Sequence, residues 1–230
     1  MNGQATAPRR HRTAALTAIA TAVLLPGHVA AQRSAADWPT FNRDLAGTRY
    51  SPLAEIDRGN VGELELVWHY RFNRTDRPRI TGPSSFELYQ QVTPIVVDAV
   101  MYLPSADRVV ALDPDTGREI WVHEIDEGLA SFRGVSYWPG TGDVGARIFF
   151  TSLHKIIALN AADGTRAAGF GDDGEITLDV PYSGAPTIIG DRIVIGANFF
   201  GPGEVHIGPQ LTEPRGDRGN SRAFDAISGK

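Results

Sequence analysis

The sequence predicts an all-β fold: a β-propeller of four-stranded antiparallel blades, present only in part. Three observations carry that prediction. A block recurs three times, as VVALDPDTGREIW (Val109 to Trp121), IIALNAADGTRAAGF (Ile156 to Phe170) and SRAFDAISGK (Ser221 to Lys230). In each copy strand-forming residues lead to an Asp or Asn, and a Gly follows four positions later: Asp113 and Gly117, Asn160 and Gly164, Asp225 and Gly229. The 47 residues from Asp113 to Asn160 suit one four-stranded blade and exceed a leucine-rich or ankyrin unit. A second element keeps the same register, because TPIVVDAVMYLPS (Thr93 to Ser105) resembles APTIIGDRIVIGAN (Ala185 to Asn198), with Pro94 and Pro186 separated by 92 residues, close to two periods. Asn160 and Asp225 are 65 residues apart, so the later blade carries a long insertion. The chain stops at Lys230 inside a repeat, which reads as the front part of a longer propeller.

From the N-terminus, Arg9, Arg10, His11 and Arg12 form a basic start, and Thr13 to Leu25 is an apolar run of 13 residues. Val29, Ala30 and Ala31 then offer small side chains, the pattern of a secretory signal peptide over residues 1–31. The run is shorter than the roughly 20 apolar residues a spanning helix needs. The mature portion, residues 32–230, is the propeller segment. Asp37 to Leu66 is polar and turn-rich, with a short helix expected near Asp57 to Leu64. Strands are expected at Leu66 to Phe72, Thr93 to Val97, Val100 to Leu103, Arg108 to Leu112, Glu119 to His123, Ala146 to Thr151, Lys155 to Leu159, Thr187 to Ile189 and Arg192 to Ala197. Each is a short run rich in β-branched or aromatic residues, bounded by Gly, Pro, Asp or Asn. Asp113, Asn160 and Asp225 are turn formers, since their side chains bond backbone N–H groups further on and Gly four positions later accepts a positive φ. Trp121 is expected to pack between neighbouring blades, and its counterpart is lost at Ala168.

Composition narrows the function classes. The chain carries 22 basic and 27 acidic residues, and residues 1–31 hold three arginines and no acid, so the mature portion has 19 basic against 27 acidic groups. An acidic chain without a clustered basic face is no nucleic-acid binder. There is no cysteine, which excludes disulfides, thiolate metal sites and a lipoprotein anchor.

Six segments in order then resemble one family: DWPTFNRDLAGTRYSPLAEIDRGNVGELELVWHY (Asp37 to Tyr70), TPIVVDAVMYLPS, RVVALDPDTGREIW, RGVSYWPGTGD (Arg133 to Asp143), GFGDDGEITL (Gly169 to Leu178) and SGAPTIIGDRIVIGAN (Ser183 to Asn198). They are similar to the opening of pyrroloquinoline-quinone (PQQ)-dependent dehydrogenases. The resemblance implies about the first three blades of an eight-bladed propeller. It implies PQQ as cofactor, with Ca²⁺ in the full-length protein, and a periplasmic enzyme oxidising the hydroxyl of an alcohol, polyol or sugar. Electrons would pass to a cytochrome or a membrane quinone. The family's catalytic base is an Asp in a later blade, so the isolated 230 residues are expected to be inactive. A non-enzymatic propeller scaffold and a truncated, inactive gene product are the alternative readings.

Site residues follow from the same resemblance. Arg133 matches an Arg placed against the cofactor, and a guanidinium can pair with the carboxylates of a tricarboxylate quinone. An ion pair with an acid such as Glu127 is the competing role. Ser183 matches a quinone-bonding hydroxyl and Asn198 a small polar residue of the same pocket, although a turn Ser and a strand-ending Asn explain the two equally. Gln91 stands where relatives carry Glu and keeps hydrogen-bonding capacity without the charge. Gly128 to Phe132 lack the adjacent cysteines of alcohol-oxidising relatives, which favours the sugar and polyol branch. Glu204 and Glu213 both offer hard oxygen ligands for Ca²⁺ and charge does not choose between them, while solvated loop carboxylates are the simpler reading of both, so the metal ligands stay unassigned. Asp172, Asp173 and Glu175 read as a solvated turn, and His123, His154 and His206 as ordinary packing or surface residues.

Overall fold

A computed structural model describes residues 35–71, 92–105, 107–126, 128–131, 133–152, 154–179, 182, 184–196 and 221–230. Arg33–Lys230 form one compact unit. The expected signal segment lies outside the described residues.

Three antiparallel sheets follow one another along the chain. The first is β1 (Ile95–Val97), β2 (Val100–Ser105), β3 (Arg108–Leu112) and β4 (Glu119–Glu124), paired in that order. The second is β5 (Ser136–Trp138), β6 (Arg147–Ser152), β7 (Lys155–Asn160) and β8 (Glu175–Thr177), again in order. The third joins β9 (Thr187–Ile189), β10 (Arg192–Ile195) and β11 (Arg222–Asp225). The meander within each sheet is that of propeller blades, and β5 lies against both β1 and β9.

Local chemistry explains the hairpins. Val97 pairs with Val100, leaving Asp98 and Ala99 as a two-residue loop at φ 50° and 58°. Positive φ at both positions matches the right-handed twist of the flanking strands. The repeated Asp/Asn-to-Gly block builds the turn after the third strand in all three sheets. The Gly N–H donates to the carbonyl of the first turn residue: Gly117 to Asp113 at 2.8 Å, Gly164 to Asn160 at 2.9 Å and Gly229 to Asp225 at 2.8 Å. The three glycines sit at φ 68°, 72° and 78°, where a Cβ is disfavoured. Asp225 Oδ1 also accepts from Ile227 N and Ser228 N at 3.1 and 2.8 Å, and these bonds, Ser228 N–H foremost, hold its carboxyl below the usual range.

The blades are joined by two apolar clusters. One gathers Ile95, Tyr102, Val109 and Trp121 from the first blade with Ile148, Phe150, Ile157 and Leu159 from the second. The other gathers Trp138, Phe149, Ile156 and Phe170 with Ile193, Ile195 and Ala226 of the third. Trp121 fills the expected seam: its Nε1 donates to Ala161 O at 2.9 Å and its ring lies on Gly164, where a Cβ would come within 2.5 Å. At the next seam the Gly229 turn is met by Ile176 and Phe170 instead. Arg147, buried and stacked over Trp138, ties that seam by donating to Ala226 O and Ile227 O at 2.6 and 2.7 Å.

Three expectations are corrected. Leu66 to Arg71 is not a strand, because nothing pairs with it among the described residues; Phe72 lies outside them. The expected helix is a single 3-10 turn, Val61–Glu63, in which nothing is buried and no side chain caps the start. β5 and β8 were not anticipated, since three-residue strands are too short to show alternation.

Candidate cofactor site

The innermost strands of the three blades begin at one place, and the Arg133–Gly134 pair stands at its centre. Gly134 has φ +134°, and a Cβ there would lie 3.3 Å from Thr93 O, just before β1, and 3.8 Å from the Ala185 Cβ, just before β9. The second residue of the motif is therefore a glycine for a steric reason: the segments entering three blades crowd against its backbone. Arg133, its neighbour, is exposed, and its N–H donates to Ser131 Oγ at 3.2 Å.

Buried hydroxyls fix this convergence. Thr151 Oγ1 donates to Gly184 O at 3.0 Å, Ser136 Oγ donates to Pro186 O, and Ser131 N–H donates to Thr151 O at 2.8 Å. Thr151, Ser136 and Ser131 are 1%, 4% and 3% exposed, so their bonds are screened from water and hold the β9 entry against the second blade. Ser152, opposite Ala130 in an isolated bridge, carries a buried Oγ with no hydrogen-bond partner among the described residues. These positioning residues were not anticipated. Their signal was the pair of hydroxyls ending the apolar strand RIFFTS, where all six residues are buried.

Of the anticipated site residues, Arg133 alone is described. Gln91, Ser183 and Asn198 lie outside the described residues, as do Glu127, Glu204 and Glu213. Among the described residues no group of three His, Cys, Asp or Glu side chains is arranged to hold a metal ion. Glu175 is instead bound to Lys155 Nζ at 2.8 Å and Arg166 Nη1 at 2.6 Å, beside the exposed Asp172 and Asp173. His123 Nδ1 lies 3.0 Å from Gly164 O and its ring meets Phe150 edge-on, and His154 Nδ1 lies 3.1 Å from Leu178 O; both serve packing.

Arg133 brings an exposed cationic residue to the segment entering β5, next to Gly134. That chemistry fits a planar polyanion, whose carboxylates a guanidinium recognises in bidentate fashion.

Comparison with known proteins identifies such a group. The family described as "PQQ: Glucose/ethanol/alcohol dehydrogenase, beta-propeller domain" matches residues 38–230. The glycerol dehydrogenase large subunit of Gluconobacter oxydans (strain 621H) is 30% identical over 223 residues, covering 87% of this chain and 28% of that protein. The quinohemoprotein alcohol dehydrogenase of Comamonas testosteroni is 34% identical over 174 residues, covering 70% of this chain and 22% of that protein. Quinoprotein glucose dehydrogenase A of Acinetobacter calcoaceticus is 29% identical over 225 residues, covering 84% of this chain and 27% of that protein. The chain thus spans between 22% and 28% of the length of these relatives. With the blade repeat, the converging inner strands and the match over residues 38–230 in agreement, the chain belongs to the PQQ-dependent dehydrogenase family, as part of its β-propeller domain.

Proposed function

We propose that this chain supplies a PQQ-binding arc of a periplasmic dehydrogenase that oxidises the hydroxyl of an alcohol, polyol or sugar. The observation that carries the reading is the placement of Arg133 where the inner strands of three successive blades begin. Arg133 would pair with a carboxylate of the quinone, while Gln91 and Ser183, two residues ahead of the groups flanking Gly134, would add hydrogen bonds from the neighbouring blades. Asn198, three residues past β10, would complete the polar lining. PQQ, if bound here, would supply a two-electron acceptor for the hydride on the carbon that bears the hydroxyl, the hydroxyl proton passing to the base that the family resemblance puts in a later blade. The protein's share is position and charge: Gly134 brings the backbones together, and Thr151 and Ser136 hold the β9 entry so that the pocket wall does not drift.

Substrate class follows from the relatives, whose names specify glycerol, alcohol and glucose. The absence of adjacent cysteines before Arg133 favours the polyol and sugar branch. Two relatives name their acceptors, one a quinone and one cytochrome c, so either is the expected electron partner. Ca²⁺ would act as a Lewis acid beside the quinone, with Glu204 and Glu213 as the carboxylates available for it. The basic start and apolar run before Ala31 support export to the periplasm. Because the family resemblance puts the catalytic base in a later blade, the 230 residues alone should bind quinone without turnover in a dye-reduction assay.

Quinone titration followed by tryptophan fluorescence tests the site. Arg133→Ala should weaken binding by roughly 10- to 100-fold, the equivalent of about 1.5–3 kcal/mol for hydrogen bonds to charged groups. Arg133→Lys should recover part of the loss. A titration left unchanged by Arg133→Ala refutes the assignment.

A further inference from the structure

Arg147 is a buried cation that the described residues meet only with dipoles. It opens β6, at the opposite end of that strand from Thr151, and its side chain reaches across to the third blade. The residue is 5% exposed, its Cζ lies 5.7 Å from the centre of the Trp138 ring, and Nη1 makes both of its bonds, to Ala226 O and Ile227 O. Nε is buried without a hydrogen-bond partner. Among the described residues no carboxylate forms an ion pair with this guanidinium. Asp225 is near enough to act on it, yet Asp225 is taken up by Arg192 Nη1 at 2.7 Å and by the N–H groups of Ile227 and Ser228.

Removing a charge from water is costly, so buried charges are ordinarily paired. Two carbonyls and an indole face offset part of that cost but bring no net negative charge. A guanidinium meets a carboxylate best through two parallel N–H bonds, and Nε with Nη2 forms such an edge. Gly169, which is exposed, leaves room beside it: a Cβ there would meet Nη2 at 3.6 Å and no other non-neighbouring atom within 4 Å. Its φ lies outside the left-handed region, so the backbone does not itself require a glycine.

We propose that the Nε and Nη2 edge of Arg147 is a binding site for a small free carboxylate, of formate or acetate size, which enters past Gly169 and supplies a counter-charge at the seam between the second and third blades. Two parallel bonds satisfy Nε, and Nη1 keeps its hold on residues 226 and 227. Size follows from burial: a partner protein's side chain would have to part the seam to reach Nε, whereas a formate-sized anion does not. Occupancy ties the third blade more firmly, so the amides of residues 221–230 report it.

Sodium formate is the probe, titrated into the 230-residue chain at an ionic strength held by a bulky sulfonate and read at the Arg147 Nε–H resonance. That proton should shift along a saturable curve at roughly millimolar formate, and amide exchange in residues 221–230 should slow while that in β1–β4 does not. Chloride, which lacks paired oxygens, should need about tenfold more. Arg147→Lys keeps the charge without the edge and should abolish the saturable slowing of exchange. Gly169→Val sets a side chain against Nη2 and should weaken formate binding about tenfold or more, and it decides the matter if Arg147→Lys does not fold. A shift linear in formate would make water the partner of Nε and overturn the proposal. An equal response to chloride, or binding indifferent to Gly169→Val, overturns it too.

Discussion

Replacing Gly164 by alanine tests how the blades are held together. The residue sits at φ +72°, so any Cβ costs about 1–2 kcal/mol in backbone strain. The same Cβ would come 2.5 Å from Trp121 Cε3 and 2.7 Å from Cδ2, closer than atoms can approach, so the indole must move. Overpacking of this kind costs about 1–3 kcal/mol, and displacing the ring also puts the 2.9 Å bond from Nε1 to Ala161 O at risk, worth about 1 kcal/mol. The expected loss is about 3–6 kcal/mol, a large part of the stability of a single domain. Gly142→Ala is the matched control, with φ +56° and nothing within 4 Å of its Cβ, so it should lose only the backbone share of about 1–2 kcal/mol. Urea unfolding followed by tryptophan fluorescence gives both values. Equal losses in the two variants would refute the idea that indole-on-glycine contact joins the first two blades.

Two further outcomes follow from buried polar groups. Burial, foremost, holds the His123 imidazole below its ordinary value, against the opposing effect of its contact with Gly164 O. Its folded pKa is thus the lower one, so stability is full above about pH 6.5 and declines as pH falls from there through the folded pKa, by at most about 1.4 kcal/mol per pH unit. His123→Gln should flatten that decline in thermal melts taken from pH 7.5 to 5, and an unchanged slope would show that the histidine is protonated alike in both states. Arg147→Ala removes the donor to Ala226 O and Ile227 O, and each orphaned carbonyl costs about 1–3 kcal/mol if water cannot reach it. Amide exchange in residues 221–230 should accelerate while that in β1–β4 does not, and uniform acceleration would contradict a local tie.

The repeat was legible because one turn dictates its own residues. Asp113, Asn160 and Asp225 need a side-chain acceptor and Gly117, Gly164 and Gly229 need a positive φ, so both appear at fixed spacing. Trp121 was legible as a seam residue because a large aromatic beside that turn suits the packing between blades, although the second copy carries Ala168 in its place. Strands of five or six residues, such as β3 and β7, showed their apolar runs, whereas β5 and β8 did not. Leu66 to Arg71 has the composition of a strand, but strandhood needs a partner, and no local pattern reveals whether one exists. At the site, Arg133 could be found from its motif. Thr151 was marked only by the hydroxyl pair that ends RIFFTS, and Ser136 not at all, because their importance lies in which carbonyl they reach 33 and 50 residues later. Only folding creates that relation.

The exchange of an indole for Ile176 and Phe170 at the Gly229 turn makes the two seams mechanically unlike. The first is latched by a directional bond from a ring that fits one turn in one orientation. The second has no indole on its turn and spreads its polar ties instead, from Arg147 to Ala226 O and Ile227 O, from Trp138 Nε1 to Asp191 Oδ1 at 3.0 Å, from Gly171 N–H to Ser228 O at 3.0 Å and through the Thr151 and Ser136 hydroxyls. With three described strands against four in each of the others, the sheet of β9–β11 has fewer ladder bonds of its own, and heat or denaturant should peel it away first, taking with it the Gly184 carbonyl anchored by Thr151. The cofactor pocket would lose one wall while the first two blades still stand, so quinone affinity should fail at milder conditions than β-sheet content does.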